Sequence, residues 1–143
     1  TNVNVEPITD LLEKGYIPVV STLGCDDAGN VYNVNADTAA AKLAATLHAE
    51  SLISLTDTAG ILRHKDDPSS PISRVPVPET EQLIADGVIA GGMLPKVECC
   101  TDAIRGGVRR VFIIDGRVPH SILIETLTDE GIGTMFEGEG EHA

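Results

Sequence analysis

The sequence predicts an α/β fold in which a largely parallel sheet is sandwiched between helices. Apolar segments of strand length alternate along the chain with segments of helical pattern. Strands such as "SLISLTD" are apolar without alternating, which is typical of strands covered on both faces. Hydrophobic residues make up 42% of the 143 residues, and aromatics only 3%, so one core of mainly Val, Ile, Leu and Ala is expected.

The first part of the chain is predicted to hold two helices, two strands and a hairpin. "EPITDLLEKG" has the pattern of a helix that ends at Gly15, and "YIPVVSTLG" follows as a buried strand. Turn residues in "CDDAGNVYNVN" indicate a hairpin. A helix from about residue 37 to 48 comes next, then the strand "SLISLTD". "RHKDDPSSPISRVP" is polar and broken by prolines, which indicates a surface loop.

The second part continues the alternation. "PETEQLIADG" predicts a short helix that stops at Gly87, and "VIAGGMLPK" is a glycine turn opening the helix "KVECCTDAIRGG". "RRVFIIDGR" predicts a strand, "PHSILIETL" a short helix and "GIGTMF" a final strand. Residues 1–136 are therefore expected to form one lobe, and the charged, glycine-rich residues 137–143 a disordered acidic tail.

Composition excludes several classes of function. Ten basic against 22 acidic residues give a net charge of −12, which argues against nucleic-acid binding. No apolar run approaches the ~20 residues of a membrane span, and no signal-like segment is visible. Cys25, Cys99 and Cys100 are odd in number and lack metal-ligand spacing, so no disulfide framework or metal site is expected, and a reducing compartment such as the cytoplasm fits best.

Three polar features are expected at the carboxyl ends of strands, where ligands bind in such sheets: residues 33–37, Thr56-Asp57, and the approach to Gly91-Gly92. A glycine turn before a helix offers free backbone N–H groups to an anion, and Lys96 opposes the helix dipole there unless it meets phosphate. The alternative is a simple turn with a solvated lysine. The two common nucleotide-binding glycine fingerprints are absent.

Purely structural roles remain open for the same residues. Asn35 can cap the helix and Asp37 can favour its dipole, which leaves Asn33 without a role. Thr56 to Gly60 can be an ordinary tight turn, and His120 an ordinary surface or capping residue. Spacing alone therefore indicates no more than a phosphate-binding α/β domain.

Longer segments, in unbroken order over nearly the whole chain, carry a resemblance. "YNVNADTAAAKLAATL", "LISLTDTAGIL", "IAGGMLPKVECC" and "IIDGRVPHSILIETLTDEGIGTM" resemble the N-acetyl-L-glutamate kinases of the amino acid kinase superfamily. The vicinal cysteines, "DDPSS" and "TDEGIGTM" resemble the arginine-sensitive members of cyanobacteria and plastids. The resemblance implies phosphorylation of the γ-carboxylate of N-acetyl-L-glutamate by ATP with Mg²⁺, for arginine synthesis, in the cytoplasm or the plastid stroma.

The resemblance also implies roles for individual residues. Asn33 would hold the α-carboxylate side of the substrate, with Asn35 supporting that segment. Asp37 would orient the catalytic lysines, and Lys96 would reach the transferring phosphoryl group. The ATP site would be lined by Leu55, Thr56, Asp57, Gly60, Ile61, Ile89, Gly92 and Met93. Candidate residues for an arginine effector site are His120, Ser121, Glu130 and Gly133.

The likeness is to the carboxyl-terminal half of these kinases. Their amino-terminal half carries a lysine followed by glycines and a substrate-binding arginine, and no "KYGG"-like stretch occurs here. We therefore expect the chain to supply the ATP-binding half and to turn over poorly or not at all alone. The alternatives are a regulatory module that binds arginine or docks a PII-type signalling protein, and an inactive half. The resemblance implies a homo-oligomer, since full-length relatives form dimers and ring hexamers. The amino-terminal helix that builds the ring has no counterpart in this sequence, which argues against a hexamer.

Overall fold

The computed structural model describes residues 3–64 and 66–138. The helices are α1 (Glu6–Glu13), α2 (Ala36–Thr46), α3 (Thr80–Ala85), α4 (Met93–Arg105) and α5 (Ser121–Leu127), with a 3₁₀ turn at Val77–Glu79. The strands are β1 (Leu23–Cys25), β2 (Val31–Asn33), β3 (Ser51–Thr56), β4 (Ile61–Leu62), β5 (Pro71–Ile72), β6 (Arg74–Pro76), β7 (Arg110–Asp115) and β8 (Thr134–Glu137).

A central sheet of four strands organises the molecule, in the order β3-β7-β8-β6. β3 runs parallel to β7, and β6 parallel to β8, while β7 and β8 are antiparallel. The predicted α/β class with a mostly parallel sheet is thus confirmed. In the β3–β7 register Thr56 lies opposite Asp115, so the carboxyl ends of these two strands meet at one edge.

The core lies between this sheet and the helices α2 and α4. Val75, Val111, Ile113 and Phe136 come from three neighbouring strands, and all four are fully buried. The helices bury mainly small side chains, namely Ala41, Ala44, Val97, Cys100 and Ala103. Because these side chains are short, the helices can lie close to each other and to the sheet, which brings their first turns together.

The structure differs from the prediction near the start of the chain. The buried strand expected at "YIPVVSTLG" is wrong: residues 16–20 form no strand, and Ile17 and Val19 are 90% and 95% exposed. Only Leu23–Cys25 is extended in a ladder, and it pairs only with β2 of the predicted hairpin. An apolar segment becomes a buried strand only where another strand is in place to pair with it, and the described residues offer none here.

The surface loop predicted at residues 63–76 is wrong in its second part, which contains β5 and β6. Prolines are tolerated there because β6 is an edge strand of the central sheet. The last strand also includes Glu137, whose side chain is buried, so the expected tail boundary lies too early. Residues 139–143 of the expected tail lie outside the described residues.

Candidate functional site

An ion pair joins the first turns of α2 and α4. The Lys96 ammonium donates to both carboxylate oxygens of Asp37, with Nζ–Oδ1 and Nζ–Oδ2 distances of 2.7 and 2.9 Å. The two side chains are 21% and 34% exposed, so the pair is shielded but reachable. This contact explains how α4 tolerates a cation that opposes its dipole: the carboxylate of the neighbouring helix compensates it.

Each helix brings its residue to the pair by a local signal. Asn35 caps α2, because its Oδ1 accepts the Thr38 backbone N–H at 3.0 Å. The capping interpretation of Asn35 is therefore confirmed. Gly91, with φ at +58°, turns the chain into α4 one residue ahead of its cap. Beneath the pair, a small cavity is lined by Leu52, Ile53, Ser54, Cys99 and Val111 among others, so the pair lies over the middle of β3.

Two of the backbone donors at the glycine turn are engaged within the turn itself. The N–H of Met93 donates to the Ala90 carbonyl and that of Leu94 to the Gly91 carbonyl, at 3.3 and 3.2 Å. The next residue, Pro95, has no N–H. The Lys96 side chain, in the first turn of α4, is a further group that can meet an anion there.

A second polar feature follows the carboxyl end of β3. Thr56 accepts the Thr58 backbone N–H on its Oγ1 at 3.0 Å, and Asp57 between them is exposed. Gly60 has a φ of +101°, and a Cβ there would lie 2.6 Å from Thr134 Oγ1. That hydroxyl accepts the Ile61 N–H at 2.8 Å and donates to the Ile72 carbonyl at 2.7 Å, which fixes the end of the turn.

A third feature, absent from the sequence prediction, lies at the end of the neighbouring strand. Arg117 donates from Nε and Nη2 to the two carboxylate oxygens of Asp115, at 2.9 and 2.8 Å. The Arg117 backbone N–H also donates to Asp115 Oδ1 at 2.9 Å. These bonds, the side-chain bond first, lower the pKa of Asp115 from 3.8 to about 2. An Asp-Gly-Arg triplet at the end of a buried strand is the sequence pattern that could have indicated it.

The Asp115 contact predicts a pH dependence of stability. A carboxyl group whose pKa falls on folding stabilises the protein fully when the pH is above the pKa of the unfolded state. This contribution is lost as the pH falls toward the pKa of the folded state. The stability difference between the native protein and Asp115→Asn should therefore be constant near neutral pH and shrink between about pH 4 and pH 2. Thermal melting across this range measures it. Asp10→Asn, on the exposed helix α1, is the control, and a pH-independent difference would contradict the prediction.

The remaining predicted site residues differ in their exposure to solvent. Asn33 is exposed at the end of β2, Leu55 is 51% exposed on β3, and Gly92 is the exposed cap of α4. Met93 is half-buried and packs against the core. Ile61 and Ile89 are 2% and 1% exposed in the core, so their side chains do not face an open site, and contact with a nucleotide is left to their main chain.

The candidate effector residues flank the connection from β7 through α5 to β8. His120 is exposed, with φ at +61°, and Ser121 is buried as the first residue of α5. Glu130 is exposed, whereas Gly133 is buried, and a Cβ there would overlap the Ile113 carbonyl oxygen. Their grouping into an effector site stays a prediction.

The described residues contain no group of three or more His, Cys, Asp or Glu side chains that could hold a metal ion. Within the same residues, no helix is long and apolar enough to cross a membrane. The three cysteines are free thiols, and burial raises the pKa of Cys100 to about 12, so this thiol stays protonated.

Comparison with known proteins supports the fold and names its relatives. The chain is 56% identical over 135 residues to an acetylglutamate kinase of Brachyspira hyodysenteriae, covering 94% of the chain and 47% of the relative. It is 57% identical over 136 residues to an acetylglutamate kinase of Thermosynechococcus vestitus, covering 95% and 46%. The chain thus spans about half the length of these curated relatives.

Among solved structures, N-acetylglutamate synthase from Neisseria gonorrhoeae complexed with coenzyme A and L-arginine superposes with a TM-score of 0.85 at 29% identity, over 96% of this chain and 31% of that one. Isopentenyl phosphate kinase of T. acidophilum, with a TM-score of 0.66 at 19% identity over 94% and 53%, shares the fold. The model of the amino acid kinase family matches residues 1–115. The chain therefore belongs to the amino acid kinase family.

Proposed function

We propose that this chain supplies the nucleotide-binding half of an enzyme that phosphorylates the γ-carboxylate of N-acetyl-L-glutamate with Mg-ATP. The proposal rests on the contact between the first turns of α2 and α4, where Lys96 Nζ lies 2.7 Å from Asp37 Oδ1. Relatives named acetylglutamate kinase, with 52–57% identity to this chain, supply the choice of reaction.

Phosphoryl transfer depends on alignment of two anionic reactants and on neutralisation of the charge that develops between them. The Lys96 ammonium has three donors, and Asp37 occupies two of them. One N–H thus remains for a phosphoryl oxygen, on a side chain whose position is already fixed. Asp37 contributes by holding the lysine in this orientation.

The adjoining strand gives the site the length that a nucleotide needs. The Asp37–Lys96 pair lies over Leu52 to Ser54, and Asp57 follows the end of the same strand. Three residues of extended chain span roughly 10 Å. A nucleoside triphosphate can bridge this distance, with its reacting end at Lys96 and its remainder along the turn of residues 56–60.

For the acyl acceptor, Asn33 is the stronger of the two candidates. It is exposed at the end of β2, and its side chain makes none of the contacts that hold the hairpin together. Asn35 has its Oδ1 engaged as the α2 cap, so only its amide nitrogen can face a substrate. We assign the α-carboxylate side of N-acetyl-L-glutamate to Asn33.

Exposed apolar side chains near the start of the chain support the proposal that a second half is needed. Residues 16–20 and the hairpin strands β1 and β2 carry large apolar side chains that are more than half exposed: Tyr16, Ile17, Val19, Val20, Leu23, Val31 and Tyr32. Large apolar side chains that are left exposed in neighbouring segments favour a surface that another protein segment covers. The polypeptide corresponding to the rest of the relatives' length is the proposed cover, and slow or absent turnover by this chain alone follows.

Nucleotide binding and ADP release by the purified chain test the proposal. We expect ATP with Mg²⁺ to raise the melting temperature, and N-acetyl-L-glutamate to stimulate ADP release only when the other half of a relative is added. A melting temperature unchanged by millimolar ATP would contradict the proposal.

The same melting experiment addresses a second candidate function, arginine binding at His120, Ser121, Glu130 and Gly133. It is favoured by the likeness to a synthase solved with L-arginine. A shift with L-arginine but not with ATP would support a regulatory module instead. L-citrulline, which lacks the guanidinium charge, is the matched control ligand.

A further inference from the structure

Arg117 lies beside the proposed nucleotide turn, although no argument from sequence placed it there. The preceding residue, Gly116, donates its backbone N–H to the Thr56 carbonyl oxygen at 2.8 Å. A Cβ at Gly116 would lie 3.3 Å from the Leu55 Cβ, so the two backbones touch. The Asp115–Arg117 pair is thereby built against the end of β3, where the nucleotide turn begins.

The guanidinium is fixed on one side and open on the other. Asp115 is only 8% exposed, and it binds Nε and Nη2 of Arg117 through both carboxylate oxygens. A guanidinium has five N–H donors, so three remain beyond these two bonds. The Arg117 side chain is 68% exposed. An arginine held in this way presents a rigid planar fork, the geometry with which arginine recognises phosphate.

The local charge requires such a cation if an anion is to bind. Asp57 follows β3 and Asp115 ends β7, so both lie at the same edge of the sheet. Asp115, by its hydrogen bonds and its charge, and then Asp57, by its charge, both raise the pKa of Arg117. Two carboxylates would repel a polyphosphate in a chain that already carries a net charge of −12. Arg117 offsets them at this edge.

We propose that Arg117, positioned by Asp115, contacts the phosphate chain of the nucleotide at the carboxyl edge of β3 and β7; this inference rests on the nucleotide site proposed above. Arg117 then makes a contact that grows with the number of phosphates. Asp115 is a positioning residue that acts through Arg117. A purely structural role for the pair, in holding the turn after β7, would instead affect every nucleotide and nucleoside equally.

Calorimetric titration of the chain with ATP, ADP and adenosine, each at low and high salt, separates the two roles. Arg117→Gln should weaken ATP binding roughly 10- to 100-fold, the effect of losing one charge-assisted hydrogen bond. The same variant should bind adenosine with an affinity within about twofold of the native value, and its ATP binding should depend less on salt. Asp115→Asn should lose less affinity than Arg117→Gln, again with a larger loss for ATP than for adenosine. Arg110→Gln, at the opposite end of β7 and paired with Glu50 at 2.9 Å, is the matched control.

The outcomes distinguish the inference from the function on which it rests. If Arg117→Gln loses affinity equally for ATP and adenosine, or keeps its ATP affinity, the role of Arg117 is overturned. ATP binding by the native chain would still support the proposed function in that case. Failure of the native chain to bind ATP would overturn both. If Arg117→Gln does not fold, Arg117→Lys decides: it keeps the charge but loses the fork, and should weaken ATP more than adenosine.

Discussion

Lys96→Ala is expected to reduce phosphoryl transfer about 10²- to 10³-fold, or roughly 3–4 kcal/mol of transition-state stabilisation, in the chain combined with the other half of a relative. The loss follows because Lys96 is the cation at the start of α4 that can reach a phosphoryl oxygen, and the backbone N–H groups of Met93 and Leu94 beside it are engaged. ADP release dependent on N-acetyl-L-glutamate measures the effect.

Lys42→Ala is the matched control for this prediction. Lys42 belongs to α2, like Asp37, but it lies on the groove between α2 and α4 rather than in the ion pair. Its removal should leave ADP release nearly unchanged. Asp37→Asn should lower the rate as well, because it keeps the size of the side chain but releases the lysine. An unchanged rate in Lys96→Ala would remove the lysine from the mechanism.

Phe136→Ala is expected to lower the free energy of unfolding by about 3–5 kcal/mol. Phe136 is fully buried, and in the sheet it is paired with Val111 of β7 on one side and Val75 of β6 on the other. Both partners are themselves fully buried, so the neighbouring strands cannot close the cavity that the missing ring would leave.

Urea unfolding followed by circular dichroism, without nucleotide, measures this loss. Leu127→Ala is the control, since Leu127 is 75% exposed and its truncation should change stability by less than about 0.5 kcal/mol. A loss below about 1 kcal/mol for Phe136→Ala would contradict the central place of β8 in the core.

The elements that sequence predicted well are those specified by their own residues. β7 contains an unbroken apolar run, β3 is mainly Leu and Ile with small hydroxyl residues, and α2 begins with its own capping amide at Asn35. The elements that it predicted wrongly depend on distant partners. Residues 16–20 resemble a strand but have no pairing partner, while Arg74–Pro76 resembles a loop and becomes a strand because β8 lies beside it. Pairing across more than fifty residues leaves no local pattern to detect.

The candidate site divides in the same way. The unfavourable position of a lysine at a helix start predicted that Lys96 meets phosphate, and the family resemblance indicated its association with Asp37. Arg117 escaped notice because its significance comes from the β3–β7 register, which sets Asp115 opposite Thr56. The predicted backbone anion site stays a prediction: the N–H groups of Met93 and Leu94 are engaged by the carbonyl groups of Ala90 and Gly91, which leaves the N–H groups of the two glycines to be tested.

The Asp37–Lys96 contact has a consequence for how the site meets its ligand. In the structure the carboxylate occupies the place beside the ammonium that a phosphoryl oxygen would later share. In the proposed nucleotide site, Asp37 is a resident anion that holds the lysine in place before any nucleotide arrives. Little rearrangement is then needed on binding, and the ordering of a long flexible side chain has been completed during folding rather than during the reaction.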